Sequence, residues 1–185
     1  GGSRSMQQNQ SVLLIDWLSK NVTQDPRALG WFDSAECEDR IRRAYRELLS
    51  GYEVEPGALL KTTRTVGSNE RVSLVEVKGI HFYSICAHHF LPFFGTMSVK
   101  YLPGSKILGL GKLPRLVEAY SRRFQIQEDL VREIADEMMR SGGARGVEVK
   151  SEARHMCMCS RGPSDPGAVT ETTYTVGTLT ENRTG

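Results

Sequence analysis

The chain has 185 residues, 39% of them apolar and 25% charged, a balance that fits one compact globular domain with room for a short helical appendage. With 24 basic against 22 acidic residues its net charge is +2, which excludes a nucleic-acid or membrane-surface binder that acts through a bulk positive field; an anion site has to be local. The longest apolar stretch, residues 12–15, is far too short to span a bilayer and no leader pattern is present, so the sequence reads as a cytoplasmic protein whose partners include no nucleic acid and no membrane.

Residues 1–6, ending at Met6, read as an expression scar. From Gln10 to Lys20 the residues Leu13, Leu14, Trp17 and Leu18 recur at helical spacing and predict an amphipathic helix. Asn21 to Gly30 is polar, carries Pro26 and reads as a linker. A second helix is expected over 35–50, with Ile41, Ala44, Tyr45, Leu48 and Leu49 on one stripe, a basic opposite face and Gly51 placed to end it. The period then changes to two. Strands are expected at 71–78 and 80–86, the second with Ile80, Phe82, Ser84 and Cys86 on one face, and another runs through Met97, Val99 and Tyr101 to Pro103-Gly104. Helical spacing returns from about Leu113 to Arg140 in two pieces and stops at Gly142-Gly143. Further strands are expected at 146–153, 154–160 and 169–178. This order predicts an α+β protein, an antiparallel sheet with a helix pair on one face, divided into an N-terminal helical segment over 7–50 and a catalytic domain over 51–185.

Four cysteines are too few for a disulfide scaffold, and in a reducing compartment a Cys close to His is better read as metal-binding or catalytic. Cys86-Ala87-His88-His89 is one half of a zinc site, because a turn between thiolate and imidazole lets both reach one tetrahedral ion. His155-Met156-Cys157-Met158-Cys159 is the other; strand alternation would put His155, Cys157 and Cys159 on one face and both methionines in the core. Cys86, His89 and Cys157 alone would leave a coordination position for water, whereas adding Cys159 would close the tetrahedron and make the ion a staple. In the first case His88 and His155 remain as spare imidazoles suited to proton transfer. His81 and Cys37 read as an ordinary strand histidine and an ordinary thiol. Arg40, Arg43, Lys112, Arg115 and Arg161 are scattered cations; Lys112 and Arg115 share the start of one helix, where backbone N–H groups already favour an anion. Gln127 and Glu128 lie between the two helical pieces, either as a capping segment or as a group that pairs with N–H donors on a purine edge.

The sequence closely resembles the GTP cyclohydrolase I family. The resemblance rests on Cys86-Ala87-His88-His89-Phe90 with Pro92-Phe93-Phe94-Gly95, on Tyr101-Leu102-Pro103, on Leu108 to Leu113 with Arg115, on Tyr120 to Arg123 with Gln125 to Glu128, and on His155 to Met158 with Arg161-Gly162, over about Arg40 to Leu179. It implies Zn2+ held by Cys86, His89 and Cys157, catalytic His88 and His155, guanine recognition by Glu128 with Gln127 beside it, and a triphosphate clamp of Arg40, Arg43, Lys112, Arg115 and Arg161. It implies the tunnelling fold (T-fold), in which subunits join their sheets into an oligomeric barrel, here a homodecamer with sites between chains. The implied reaction opens the imidazole ring of guanine in GTP with zinc-activated water, releases formate and yields 7,8-dihydroneopterin triphosphate. A triphosphate of about four negative charges also explains five placed cations in a nearly neutral protein.

Two positions depart from the family pattern: Ala87 stands where Glu is usual, and Gly111 where Ser usually precedes the lysine. Neither is an implied metal ligand. They leave open an enzyme that stops at the ring-opened formamidopyrimidine or takes a related purine nucleotide in a specialised pathway, and a non-catalytic nucleotide-binding module in which zinc is structural.

Overall fold

The computed structural model describes residues 13–183. The expected scar, and residues 10–12 of the first expected helix, lie outside them. The chain divides into two compact units, Gly1–Arg46 and Glu47–Gly185. Among the described residues no helix is long and apolar enough to cross a membrane.

In the N-terminal unit, α1 (Leu14–Asn21) forms where the apolar stripe is expected. The stretch 21–30 is more than a linker. Pro26 opens α2 (Pro26–Leu29), with the Asp25 carboxylate accepting from the Arg27 backbone N–H at 2.9 Å. The same Pro26 that suggests a break is at the first helical position, where a missing N–H costs nothing. The third helix, α3 (Ala35–Leu48), begins in this unit and ends two residues short of the expected Ser50. Leu14 N–H donates to Glu38 at 2.6 Å and ties α1 to α3.

In the second unit a five-stranded sheet carries the architecture. It is built from β2 (Val75–Cys86), β3 (Pro92–Leu102), β5 (Phe124–Gln125), β6 (Gly146–His155) and β7 (Thr170–Gly177), in the order β5-β2-β3-β6-β7. All neighbours are antiparallel except the two-residue β2–β5 pairing. A small second sheet pairs β1 (Thr62–Thr65) with β4 (Lys106–Leu108), neither of which is expected from periodicity because both are too short to show one. Leu108 N–H donates to the buried Tyr101 hydroxyl at 3.2 Å and fixes the small sheet to the large one. The two strands expected at 71–78 and 80–86 are one strand that starts only at Val75 and is irregular between Val77 and Ile80. Gly79 sits there with φ +70°, so the apparent break is a bulge that only glycine accommodates without strain.

Helix α4 (Lys112–Ser121) and helix α5 (Gln127–Arg140) pack on the sheet, α4 against β2 and α5 against β6 and β7. Leu113, Leu116, Val117, Leu130, Val131, Ile134 and Met138 meet Phe82, Phe93, Met97, Val99, Tyr101, Val147 and Val149 in one cluster. The opposite sheet face presents Thr96, Ser98, Lys100, Lys150 and Glu152, none of them buried. Between the helices, Tyr120 donates to the buried Glu137 carboxylate at 2.9 Å. Gly51 does not cap α3; it lies in a 3-10 turn, Ser50–Glu53, where its N–H donates to Arg122 O at 2.9 Å.

The largest correction is at 154–160. Strand β6 ends at His155, and Met156–Cys159 is a short helix, α6. Side chains two apart on a helix diverge by about 200° around its axis, so Cys157 and Cys159 do not share a face. Met156 and Met158 are half-buried and lie outside the core cluster.

Candidate metal centre and active site

Cys86 closes β2 and is 6% exposed. Its backbone is held at both ends of a tight turn: its N–H donates to Leu91 O at 2.8 Å and its carbonyl accepts from Phe90 N–H at 3.0 Å. Phe90 closes that turn with φ +60°, a left-handed conformation unusual for a bulky side chain. The next residue, Ala87, is anchored through its N–H to Gln125 O at 3.0 Å. The β2–β5 pairing thus sets where the thiol lies, and the turn brings His89 back over it. The pairing of Phe93 with His155 carries the end of β6 to the same end of the sheet, so α6 starts beside the turn.

Consequently one ligand atom each of Cys86, His89 and Cys157 lies within 4.8 Å of the others, and among the described residues this is the group able to hold an ion. Two sulfurs and one imidazole nitrogen are the donor set of a zinc site, and tetrahedral zinc places such atoms about 3.5–3.8 Å apart, so the three side chains need only small movements to close on it. Cys159 is outside the group. Burial, with Cys86 next to it, holds the Cys157 thiol above its usual range, and the positive charge of Arg161 opposes this.

His155 ends β6, two residues before Cys157. Its ring is parallel to that of Phe93 within 1°, at 4.6 Å between centroids, and its Nε2 is 2.7 Å from Gln127 Oε1. Burial pushes its pKa below the usual histidine value, offset in part by the charge of Glu128. Glu128 is exposed on the first turn of α5, where an acid also suits the helix dipole. Gln127, beside it, faces inward. It is 1% exposed, and its amide is engaged by His155, by Ser151 Oγ at 2.9 Å and by Thr170 O at 3.0 Å. Ser151, Thr172 and the stacking Phe93 escape a reading of the sequence, because their relation to His155 depends on the register of β3, β6 and β7.

His88 is exposed on the same turn, its ring 6.4 Å from that of His89. Lys112 and Arg115 occupy the first turn of α4 as expected. Arg115 lines a cleft of about 510 Å³ with His81, Tyr83, Glu118 and Arg122, and Cys86, His89 and Cys157 are not among the residues lining it. Arg40 and Arg43 belong to the N-terminal unit, both exposed on α3. There Arg40 approaches Cys37 Sγ at 3.4 Å and Arg43 is 3.8 Å from Asp39. A Cβ at Gly111 would meet nothing within 4 Å.

An α+β chain that gathers two thiols and an imidazole at one end of its sheet, with a further histidine and a carboxylate alongside, has the features of a metal-dependent enzyme. The family model described as GTP cyclohydrolase I matches residues 17–185. Relatives named GTP cyclohydrolase 1 include a Clostridium kluyveri protein, 40% identical over 93% of this chain and 90% of its own length. Another, from Clostridium perfringens, is 45% identical over 80% of this chain and 78% of its own. A third, from Campylobacter lari, is 44% identical over 76% and 73%. Among solved structures, an archaeosine synthase QueF-like protein in the apo form aligns over 58% of this chain and 97% of its own, at 19% identity and a TM-score of 0.48. The chain belongs to the GTP cyclohydrolase I family and is an enzyme of that type.

Proposed function

We propose that this chain opens the imidazole ring of guanine in GTP, releasing formate and forming 7,8-dihydroneopterin triphosphate, at a Zn2+ centre held by Cys86, His89 and Cys157. The observation that carries this reading is the convergence of those three donors with Cys159 outside the group, because three protein ligands leave the fourth position of a tetrahedral ion to solvent. When bound there, zinc supplies Lewis acidity and a water acidified to near neutral pH.

The chain's own residues do the rest. Glu128 accepts hydrogen bonds from the N–H donors of the guanine edge; its position on the first turn of α5, within electrostatic reach of His155, aims the base at the metal group. His155 and His88 move protons to and from the ring nitrogens as the C8–N bonds break. Burial favours the neutral form of His155, which can accept a proton. Arg161, whose charge reaches Cys157, takes the triphosphate end together with Lys112 and Arg115.

Arg115 lines a cleft whose walls do not include Cys86, His89 or Cys157, which favours sites completed between chains, with Lys112 and Arg115 serving a neighbouring copy. The edge of β2 favours the same assembly: among the described residues β5 pairs only with Ile85 and Cys86, leaving residues 75–84 free on that side to extend the sheet into another subunit, as in a T-fold barrel.

Mass spectrometry of the products formed from GTP by the zinc-loaded protein tests the reading. Formate with dihydroneopterin triphosphate is the expected result. An accumulating formamidopyrimidine assigns the truncated reaction, and unchanged GTP overturns catalysis on this substrate.

A further inference from the structure

Gln127 is the first residue of α5 and is buried against the sheet. Its side chain has one donor end and one acceptor end, and its surroundings decide which way it points. Nε2 is 3.0 Å from Thr170 O. A backbone carbonyl can only accept, so the NH2 group must face it, and Oε1 is thereby directed at His155. The 2.9 Å bond from the same NH2 to Ser151 Oγ, itself 2.6 Å from Thr172 Oγ1, holds the amide from a second direction. An amide oxygen also can only accept. The nitrogen 2.7 Å from it, His155 Nε2, therefore carries a hydrogen, and in a neutral ring the lone pair available for chemistry is on Nδ1. A half-turn of the ring would keep its plane on the completely buried Phe93 but put Cε1 where Nε2 stands, so the 2.7 Å contact with Gln127 selects this orientation and the stack fixes the plane.

We propose that Gln127 is a positioning residue that fixes His155 as its Nε2–H tautomer, so that the proton moved by His155 passes through Nδ1. Thr170 O, Ser151 and Thr172 set the direction of the amide, Gln127 passes that direction to the imidazole, and Phe93 fixes the ring plane. The catalytic part of this inference rests on the reading of His155 as a proton-transfer group; the tautomer itself does not.

The tautomer is read directly by solid-state NMR of zinc-loaded protein labelled with 15N-histidine, the His155 signals being assigned by difference from His155→Asn. The expected result is a protonated Nε2 and a bare Nδ1; a bare Nε2 overturns the proposal whether or not the protein turns over GTP. Kinetics then separate positioning from folding. Gln127→Leu should retain zinc, lower kcat by ~100-fold and leave KM within about threefold, because it loses the orientation of a general acid–base group and no substrate contact, while its melting temperature falls only modestly as Ser151 and Thr170 O lose a donor. Gln127→Glu, whose carboxyl can still accept from Nε2–H, should recover much of that loss. Unchanged kcat in zinc-replete Gln127→Leu overturns the role. If Gln127→Leu loses its fold, a Gln127→Glu variant no more active than Gln127→Met overturns it instead. A wild-type protein that leaves GTP intact counts against the proposed function and not against the tautomer.

Discussion

Cys157 and Cys159 are chemically identical, two positions apart, and are expected to behave oppositely. Only Cys157 has its sulfur within reach of Cys86 and His89. Cys157→Ser should therefore remove the bound zinc equivalent, measured as metal content after gel filtration, whereas Cys159→Ser should keep it along with activity. Glu128 is a second residue-scale case. Replacing its carboxylate by an amide keeps the size but loses a charge-assisted bond of about 1.5–3 kcal/mol. Glu128→Gln should thus lower kcat/KM for GTP by roughly 10- to 100-fold with zinc content unchanged. The sequence makes these residue types legible, since Cys and His clustered at two places are conspicuous. It conceals which of two neighbouring cysteines converges, because that depends on where β6 gives way to α6, and a pattern of alternating Cys and Met looks like a strand until the helix is seen.

Between elements, the joint of α4 and α5 is a buried hydrogen bond from Tyr120 to Glu137, a carboxylate also contacted by Ser141 at 2.5 Å and Arg140 at 3.0 Å. Tyr120→Phe leaves one oxygen of that carboxylate without its donor and should lower the unfolding free energy by about 1–2 kcal/mol in denaturant titrations at pH 7. Burial, reinforced by Glu137, raises the Tyr120 phenol to about 12. An unfolded tyrosine ionises near 10, so the folded protein holds this proton more tightly. The stabilisation is fully present below pH ~10 and is lost as pH climbs through the folded value, so Tyr120→Phe should flatten the alkaline limb of the stability profile. The helices themselves are legible in the sequence through Leu116, Val117, Tyr120, Leu130 and Ile134 at helical spacing. The strands that escape are β1, β4 and β5, of two to four residues, too short for any period to register and defined only by their partners. Yet β5 is the element that carries Gln125 to the carbonyl contact with Ala87 and so locates Cys86.

At the scale of the whole molecule, the proposal that Arg115 serves the metal group of a neighbouring copy leads to a mixing experiment. Cys157→Ser and Arg115→Ala are each expected to be inactive alone. Co-refolded, they should regain part of the wild-type rate, because some sites then combine an intact metal group from one chain with an intact cation from another. Mixtures as inactive as their parents would place the whole site within one chain.

The two tryptophans of the chain, Trp17 and Trp31, are both in the N-terminal unit and are 51% and 75% exposed, while the aromatic side chains of the sheet and its helices are phenylalanines and tyrosines. Indole emission excited at the red edge is consequently blind to the core. Thermal scans followed by fluorescence and by far-ultraviolet circular dichroism should give different midpoints, and a blue shift on raising the protein concentration would report helices at the N-terminus being covered by another copy.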